Sequence, residues 1–162
     1  MKIPGLSVAA IGTCLIAGCA SSTTEAVMRL DPARAASVGL GEVVVTNASG
    51  VESDTLVQTM TAAIRDKIEE CATGNVPTRF EVTVTEMKGQ NAAKTMLLGD
   101  SNRARGSVKL IDMASGATIG DYDLNHSKGS GGIIGMIALA DAERNMGNAF
   151  GDQICDKVIA GR

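Results

Sequence analysis

The chain of 162 residues has almost no aromatic character: Phe80, Phe150 and Tyr122 are its only rings, and it has no tryptophan. Surfaces that hold sugars or single-stranded nucleic acid by stacking need several exposed rings. With three, two of them wanted in a core, such a platform has little to be built from. There is one histidine, His126, so a metal cluster or a nucleophile–histidine–acid triad has little to draw on. His126 reads as a surface or turn residue. Basic excess is missing as well, with 15 Lys and Arg against 18 Asp and Glu and a net charge of −3, which argues against a nucleic-acid partner. The chain lacks an apolar run of the ~20 residues that a membrane-spanning helix needs. No GxSxG, HExxH or recognisable carboxylate pair occurs, and no internal repeat or heptad. The expectation is a non-enzyme with no metal and no cofactor, and no catalytic residue is assigned.

What the chain does have begins at its amino terminus. Lys2 is followed by an uncharged apolar stretch, Ile3 to Ile16, with small residues at Gly5, Ala9, Ala10 and Gly12. It is long enough for a signal peptide and too short to span a bilayer. It ends in Ile16-Ala17-Gly18-Cys19, which resembles the lipobox of bacterial lipoproteins, with Ile16 in place of the more usual Leu. The resemblance implies cleavage after Gly18 and a diacylglyceryl group on the Cys19 thiol. Cys14 is the rival, but Thr13 beside it fits the pattern poorly; an ordinary secretory signal is the plainer alternative. Two or more acyl chains make an effectively stable anchor, at about 0.8 kcal/mol per buried CH₂. Ala20, not Asp, follows Cys19, and the enterobacterial sorting rule then implies the outer membrane, with the domain in the periplasm. Residues 1–18 are thus read as signal peptide. Residues 19–41, with Ser21-Ser22-Thr23-Thr24 and Asp31-Pro32, are read as a flexible acylated tether reaching roughly 25 Å, and 42–162 as the folded domain.

With Cys14 removed and Cys19 acylated, Cys71 and Cys155 remain, in an oxidising compartment. Acidic neighbours (Glu69, Glu70, Asp152, Asp156) discourage a reactive thiol, so a structural disulfide is expected.

In the body, Glu42–Thr46 is a β-branched strand. Ser49 and Glu52 stand at capping-box spacing, with Ser53 and Asp54 as other caps. Val57, Met60, Ile64, Ile68 and Cys71 then form a helical stripe. Phe80–Thr85 alternates as a half-buried strand. Residues 103–112 and 117–126 form a hairpin around Asp112-Met-Ala-Ser-Gly116. Met146, Phe150, Ile154 and Val158 repeat every four residues in a final helix. The prediction is a single α+β sandwich, β-α-β-β-β-α, with a mostly antiparallel sheet and two helices on one face.

The strand–helix start, the basic Arg103/Arg105 segment, the Leu110-Ile111-Asp112-x-x-x-Gly116 hairpin and the Gly-rich break before the last helix resemble an uncharacterised family of bacterial lipoproteins that bears only a domain-of-unknown-function label. The layout over 42–160 is also similar to the small periplasmic domains of the curli-secretion lipoprotein and of the Tol-system translocation protein. The resemblance implies fold and envelope context, with no activity.

Several local patterns have competing readings. Asp121-x-Asp123-x-Asn125 starts like a calcium loop, but His126 and Gly132 stand where Gly and Glu are needed; strand alternation accounts for it. Ser127–Gly132 lacks the Gly-Lys-Ser order of a phosphate loop and reads as a hinge. Lys88, Lys94, Arg103, Arg105 and Lys109, with Met96-Leu97-Leu98 between them, suit anionic headgroups or a protein partner, or simply a solvated connection. Gly131-x-x-x-Gly135 and Gly147-x-x-x-Gly151 permit close helix approach, with helix-on-sheet packing the default. Gly132–Ala140 is apolar and could serve a partner.

The leading expectation is a non-enzymatic lipoprotein held by Cys19 and acting through envelope proteins, its working surfaces being 88–102 and 129–140. Alternatives are a small-ligand or lipid-binding module, favoured by a deep apolar cavity between sheet and helices, and an enzyme, favoured by carboxylates around His126. Mass spectrometry of the mature protein is expected to find Cys19 as an acylated first residue. An unmodified Cys19 or an uncleaved precursor would overturn that reading.

Overall fold

Alternation along Phe80–Thr85 is what organises the molecule: Phe80, Val82 and Val84 are fully buried, while the residues between them stay partly or fully exposed. The same period-two pattern runs through the neighbouring strands, so one face of the sheet is apolar and the other faces solvent. The computed structural model describes residues 20–53, 55–88, 100–130 and 141–161. In chain order these form β1 (Ala20–Met28), α1 (Pro32–Ala35), β2 (Val38–Asn47), α2 (Leu56–Cys71), β3 (Val76–Lys88), β4 (Asp100–Asp112), β5 (Thr118–Ser130) and α3 (Ala142–Gln153), which continues into a π-helical turn, Ile154–Ile159.

The sheet is mixed and five-stranded, in the order β1-β5-β4-β3-β2. Only β2 and β3 are parallel, as a strand–helix–strand crossover through α2 requires; the other pairs are antiparallel. One register row crosses all five strands: Val45, Val82, Val108 and Tyr122 are buried on the apolar face, and Ala26 on the edge strand is exposed. Helices α2 and α3 cover this face with Leu56, Met60, Ile64, Ile68, Met146 and Phe150. Each large side chain so buried contributes about 1.5–3 kcal/mol. The α+β class is as expected, with one strand and one short helix more than the sequence pattern supplied.

The additional elements correct the reading of 19–41 as a flexible tether. Residues 20–28 are the edge strand β1, residues 38–41 begin β2, and the turn between them holds α1. Asp31 accepts a hydrogen bond from the Ala33 N–H at 2.8 Å and Pro32 occupies the first helical position, a standard helix start. The pattern was missed because Ser21–Glu25 carries no apolar residue. An edge strand needs only backbone partners, and β1 finds them along β5 from Ala20 opposite Lys128 to Met28 opposite Asp121.

Other local expectations shift as well. Ser49 does not cap α2; its hydroxyl donates to Asn47 Oδ1 at 2.6 Å. Ser53 and Thr55 reach across to Glu143 at the start of α3, at 2.7 and 3.1 Å. The hairpin forms where expected. Asp112 Oδ1 accepts the Ala114 and Ser115 amides, and Gly116 takes the left-handed conformation with φ 70°. Those two amides hold the Asp112 carboxyl below the usual carboxylate range.

The Gly147/Gly151 pair was expected against the sheet, and it meets α2 instead. A Cβ on Gly147 would lie 2.8 Å from Ala63 Cβ and 3.2 Å from Met60 Cα, and one on Gly151 would collide with the Lys67 side chain. One turn further on, Cys71 and Cys155 are joined by a disulfide with their Cα atoms 5.7 Å apart. The contacts advance together along both helices, so α2 and α3 run parallel. Gly131 and Gly135, like Cys14 and Cys19, lie outside the described residues.

In a solvent-facing helix Gly→Ala stabilises by up to about 1 kcal/mol. Gly151→Ala is expected to do the reverse, destabilising by roughly 1–3 kcal/mol through overpacking. Denaturant unfolding of the oxidised protein checks this, and a stability equal to or above wild type would show that the helices are not in backbone contact.

Candidate functional site

Strand direction decides what is gathered at each end of the sheet. Because β1 starts where β5 ends, and β4 starts where β3 and β5 end, Ala20, Lys88, Asp100 and Ser130 all lie at one end. The Asp112–Gly116 hairpin lies at the other. Two register rows define the first end: Ala20, Lys128 and Asn102 in one; Ser21, Ser127, Arg103 and Lys88 in the next. Cys19 and the interiors of the 88–102 and 129–140 segments fall outside the described residues, but their junctions with the fold are here.

The basic segment does not act as a block. Arg105 pairs with Glu86 at 3.4 Å and Lys109 with Asp121 at 4.0 Å, both on the solvent-facing side of mid-sheet. Such exposed pairs contribute little to stability. Lys88 and Arg103 stand opposite each other at the sheet end, with Lys128 on β5 two strand positions past His126.

The expectation of a surface or turn histidine is corrected. His126 is buried, 8% exposed, on the helix-covered face of β5. Its Nδ1 is 2.9 Å from Ser22 Oγ on β1, and two residues along, Thr24 Oγ1 donates to Gln153 Oε1 of α3 at 3.0 Å. Burial, reinforced by the Lys128 charge, holds the imidazole below the ordinary histidine range. A neutral ring bonded to a hydroxyl is suited to fastening the edge strand. Strand alternation would have signalled this inward position, since Tyr122, Leu124 and His126 share one parity. The same alternation places Asp121, Asp123 and Asn125 on the opposite, solvent-facing side.

Among the described residues, open clefts of about 270 Å³ lie in two places on the surface. One, lined by Thr23, Glu25, Arg105, Asp123 and Asn125, is polar. The other lies between α1 and the π-helical turn, with Leu30, Ala35, Tyr122 and Ile159 as walls and Arg29 and Lys157 beside them. Both fall just under the usual volume of small-molecule pockets. Between sheet and helices, Phe80, Phe150, Met60 and Leu110 are fully buried. Among the described residues, no group of three His, Cys, Asp or Glu side chains is placed to hold a metal ion.

No family model and no curated protein matches this chain. Solved structures do. Protein XCC0632 from Xanthomonas campestris, described under the family label DUF330, matches with a TM-score of 0.50 over 83% of this chain and 92% of its own, at 12% identity. The PelC dodecamer from Paraburkholderia phytofirmans gives 0.46 over 82% and 97%, at 10% identity. Lipoprotein GNA1162 from Neisseria meningitidis gives 0.44 over 68% and 99%, at 13% identity. At these identities the likeness to the Xanthomonas protein is one of α+β fold.

The His126 environment has a consequence for pH. The unfolded chain takes up a proton on His126 near pH 6.5, while the folded ring resists it. The unfolded state then binds more protons, so this contribution is complete above about pH 6.5 and is lost as pH falls below that. Between about pH 7.5 and 5.5 the wild-type Tm is expected to drop more steeply than that of His126→Asn. Equal slopes would remove His126 as the cause.

Proposed function

We propose that this protein is a lipid-anchored lipoprotein of the bacterial envelope that works through contacts with other envelope proteins rather than by catalysis. The observation that carries the reading is the place of β1. Its first residue, Ala20, is already paired in the sheet opposite Lys128, so an acyl group on Cys19 sits one residue from the folded body. The junctions of 88–102 and 129–140 lie at the same end. The anchor therefore brings these junctions close to the membrane, and with them the segments whose sequences carry Met96-Leu97-Leu98 and the apolar run 132–140. The signal-like stretch ending in the lipobox supports the envelope setting, and Ala20 after Cys19 supports the outer membrane.

The pocket-binding alternative called for a deep apolar cavity between sheet and helices, whereas the clefts among the described residues are open ones. The enzyme alternative called for carboxylates around His126, whose ring nitrogen is bonded to the Ser22 hydroxyl. Neither gains support from the geometry.

Photo-crosslinkers placed at positions 96 and 133 in intact envelopes are expected to trap defined proteins in outer-membrane fractions. The Cys19→Ala protein should lose these adducts and appear in the soluble fraction. Adducts from the distal position 113 alone, or none that depend on Cys19, would sink the proposal.

A further inference from the structure

We infer that the cleft between α1 and the π-helical turn is a binding site for a small organic carboxylate with a short apolar tail. It is separate from the space between sheet and helices and from the envelope contacts proposed above. β1 runs from Ala20 to Met28, so at ~3.3 Å per residue Arg29 and Leu30 enter the cleft roughly 30 Å from the start of the strand. The site therefore needs neither an acylated Cys19 nor the segments that follow Lys88 and Ser130.

Shape is the first observation. The cleft holds about 270 Å³ and is open to solvent, with Leu30, Pro32, Ala35 and Ile159 as apolar walls. Ligand sites combine such walls with a few placed polar groups. A volume under the usual pocket range suits a short molecule better than a long acyl chain. The turn that carries Lys157 is π-helical, closed by the Ala160 N–H donating to the Cys155 carbonyl at 2.9 Å. Turns of this kind are rare and are frequent at functional sites.

Charge is the second. Arg29 follows the edge strand and Lys157 lies near the end of the chain, and the fold brings both to this cleft. No acid is among the lining residues. Among the described residues, neither cation is paired with a carboxylate. Asp31, the acid nearest to Arg29 in sequence, is turned to the Ala33 amide that it caps. Asp156, which precedes Lys157, has an interaction of its own and is not part of the lining. In a chain of net charge −3, two such cations beside one apolar cleft set a local preference for an anion.

The third is a proton without an acceptor. Tyr122 lines the cleft and is only 3% exposed. Its hydroxyl oxygen accepts the Leu30 N–H at 2.6 Å, which leaves the O–H itself to donate. Among the described residues nothing takes that proton, although a buried tyrosine hydroxyl usually finds a partner for it. A carboxylate oxygen beside Leu30 would accept it, with the two cations facing the remaining charge and the tail on the apolar walls. A phosphate dianion fits less well, because more charge would have to be desolvated against those walls.

Tyr122 is the only tyrosine and the chain has no tryptophan, so intrinsic fluorescence reports on this cleft alone. The test titrates sodium hexanoate, hexan-1-ol and inorganic phosphate into the chain from position 19 carrying Cys19→Ser, exported so that the disulfide forms. Hexanoate is expected to give a saturable change that salt weakens. Hexan-1-ol and phosphate should bind more weakly by about tenfold or more. Arg29→Gln/Lys157→Gln should weaken hexanoate binding by about tenfold or more, and Arg65→Gln/Lys109→Gln, two neutralisations outside the cleft, by less than about twofold. Matching thermal unfolding shows that each variant is folded. No saturable change with hexanoate, equal binding of hexan-1-ol or phosphate, or equal loss in both variants would overturn the inference. Acylation of Cys19 and crosslinking from positions 96 and 133 are read separately, so the envelope reading stands or falls on its own.

Discussion

The fold depends on the seam between α2 and α3. Gly147 and Gly151 let the two helices lie in backbone contact against Met60, Ala63 and Lys67, and Cys71–Cys155 closes the seam one turn further. Bulkier residues would push the helices apart and open the layer over Phe80, Val108 and Tyr122. The crosslink spans 84 residues of sequence, and in the chain-entropy model a loop of that length stabilises by about 4–5 kcal/mol. Because the last helix is bound to the second one, everything between them, β3, β4 and β5, is enclosed in one covalent loop.

From the seam follows the polarity of the molecule. Parallel helices put both helix starts at the end where Ser53 and Thr55 meet Glu143, which is also the end from which α2 leaves β2. The antiparallel arrangement of β3, β4 and β5 then sends the long 88–100 connection and the exit of β5 to that same end. β1 adds itself antiparallel to β5, so its start joins them. One end of the sheet thus collects Ala20, Lys88, Asp100 and Ser130, the described ends of the connections on that side, and the tight Asp112–Gly116 hairpin is left at the other.

How β1 is held explains why its role was hidden. Apart from its backbone ladder, it is fixed by Ser21 to Ser127, Ser22 to His126 and Thr24 to Gln153. These are polar contacts at a half-exposed edge, and nothing in Ser21-Ser22-Thr23-Thr24 distinguishes them from a solvated linker. His126 was hidden for the opposite reason. A lone polar residue after Leu124 looks like the end of a strand, yet β5 continues to Ser130 and its inward parity carries His126 under the helices.

Composition and local periodicity determined the α+β class, the apolar faces of α2, β3 and α3, the hairpin at Asp112–Gly116 and the pairing of the two remaining cysteines. Each rests on neighbours in sequence, or on elimination among four cysteines, and needs no knowledge of what packs where. The same local information supplied the Cys19 motif, whose resemblance to a lipobox is a matter of residue order alone. Tertiary structure decided the rest: that 20–28 is a strand and no tether, that Gly147 and Gly151 face a helix, that Arg105 and Lys109 leave the basic segment for mid-sheet ion pairs, and that Ala20, Lys88, Arg103 and Lys128 share one end. Strand partners and helix neighbours are chosen by contacts distant in sequence. A polar edge strand and a pair of glycines carry no local mark of the surface they will meet.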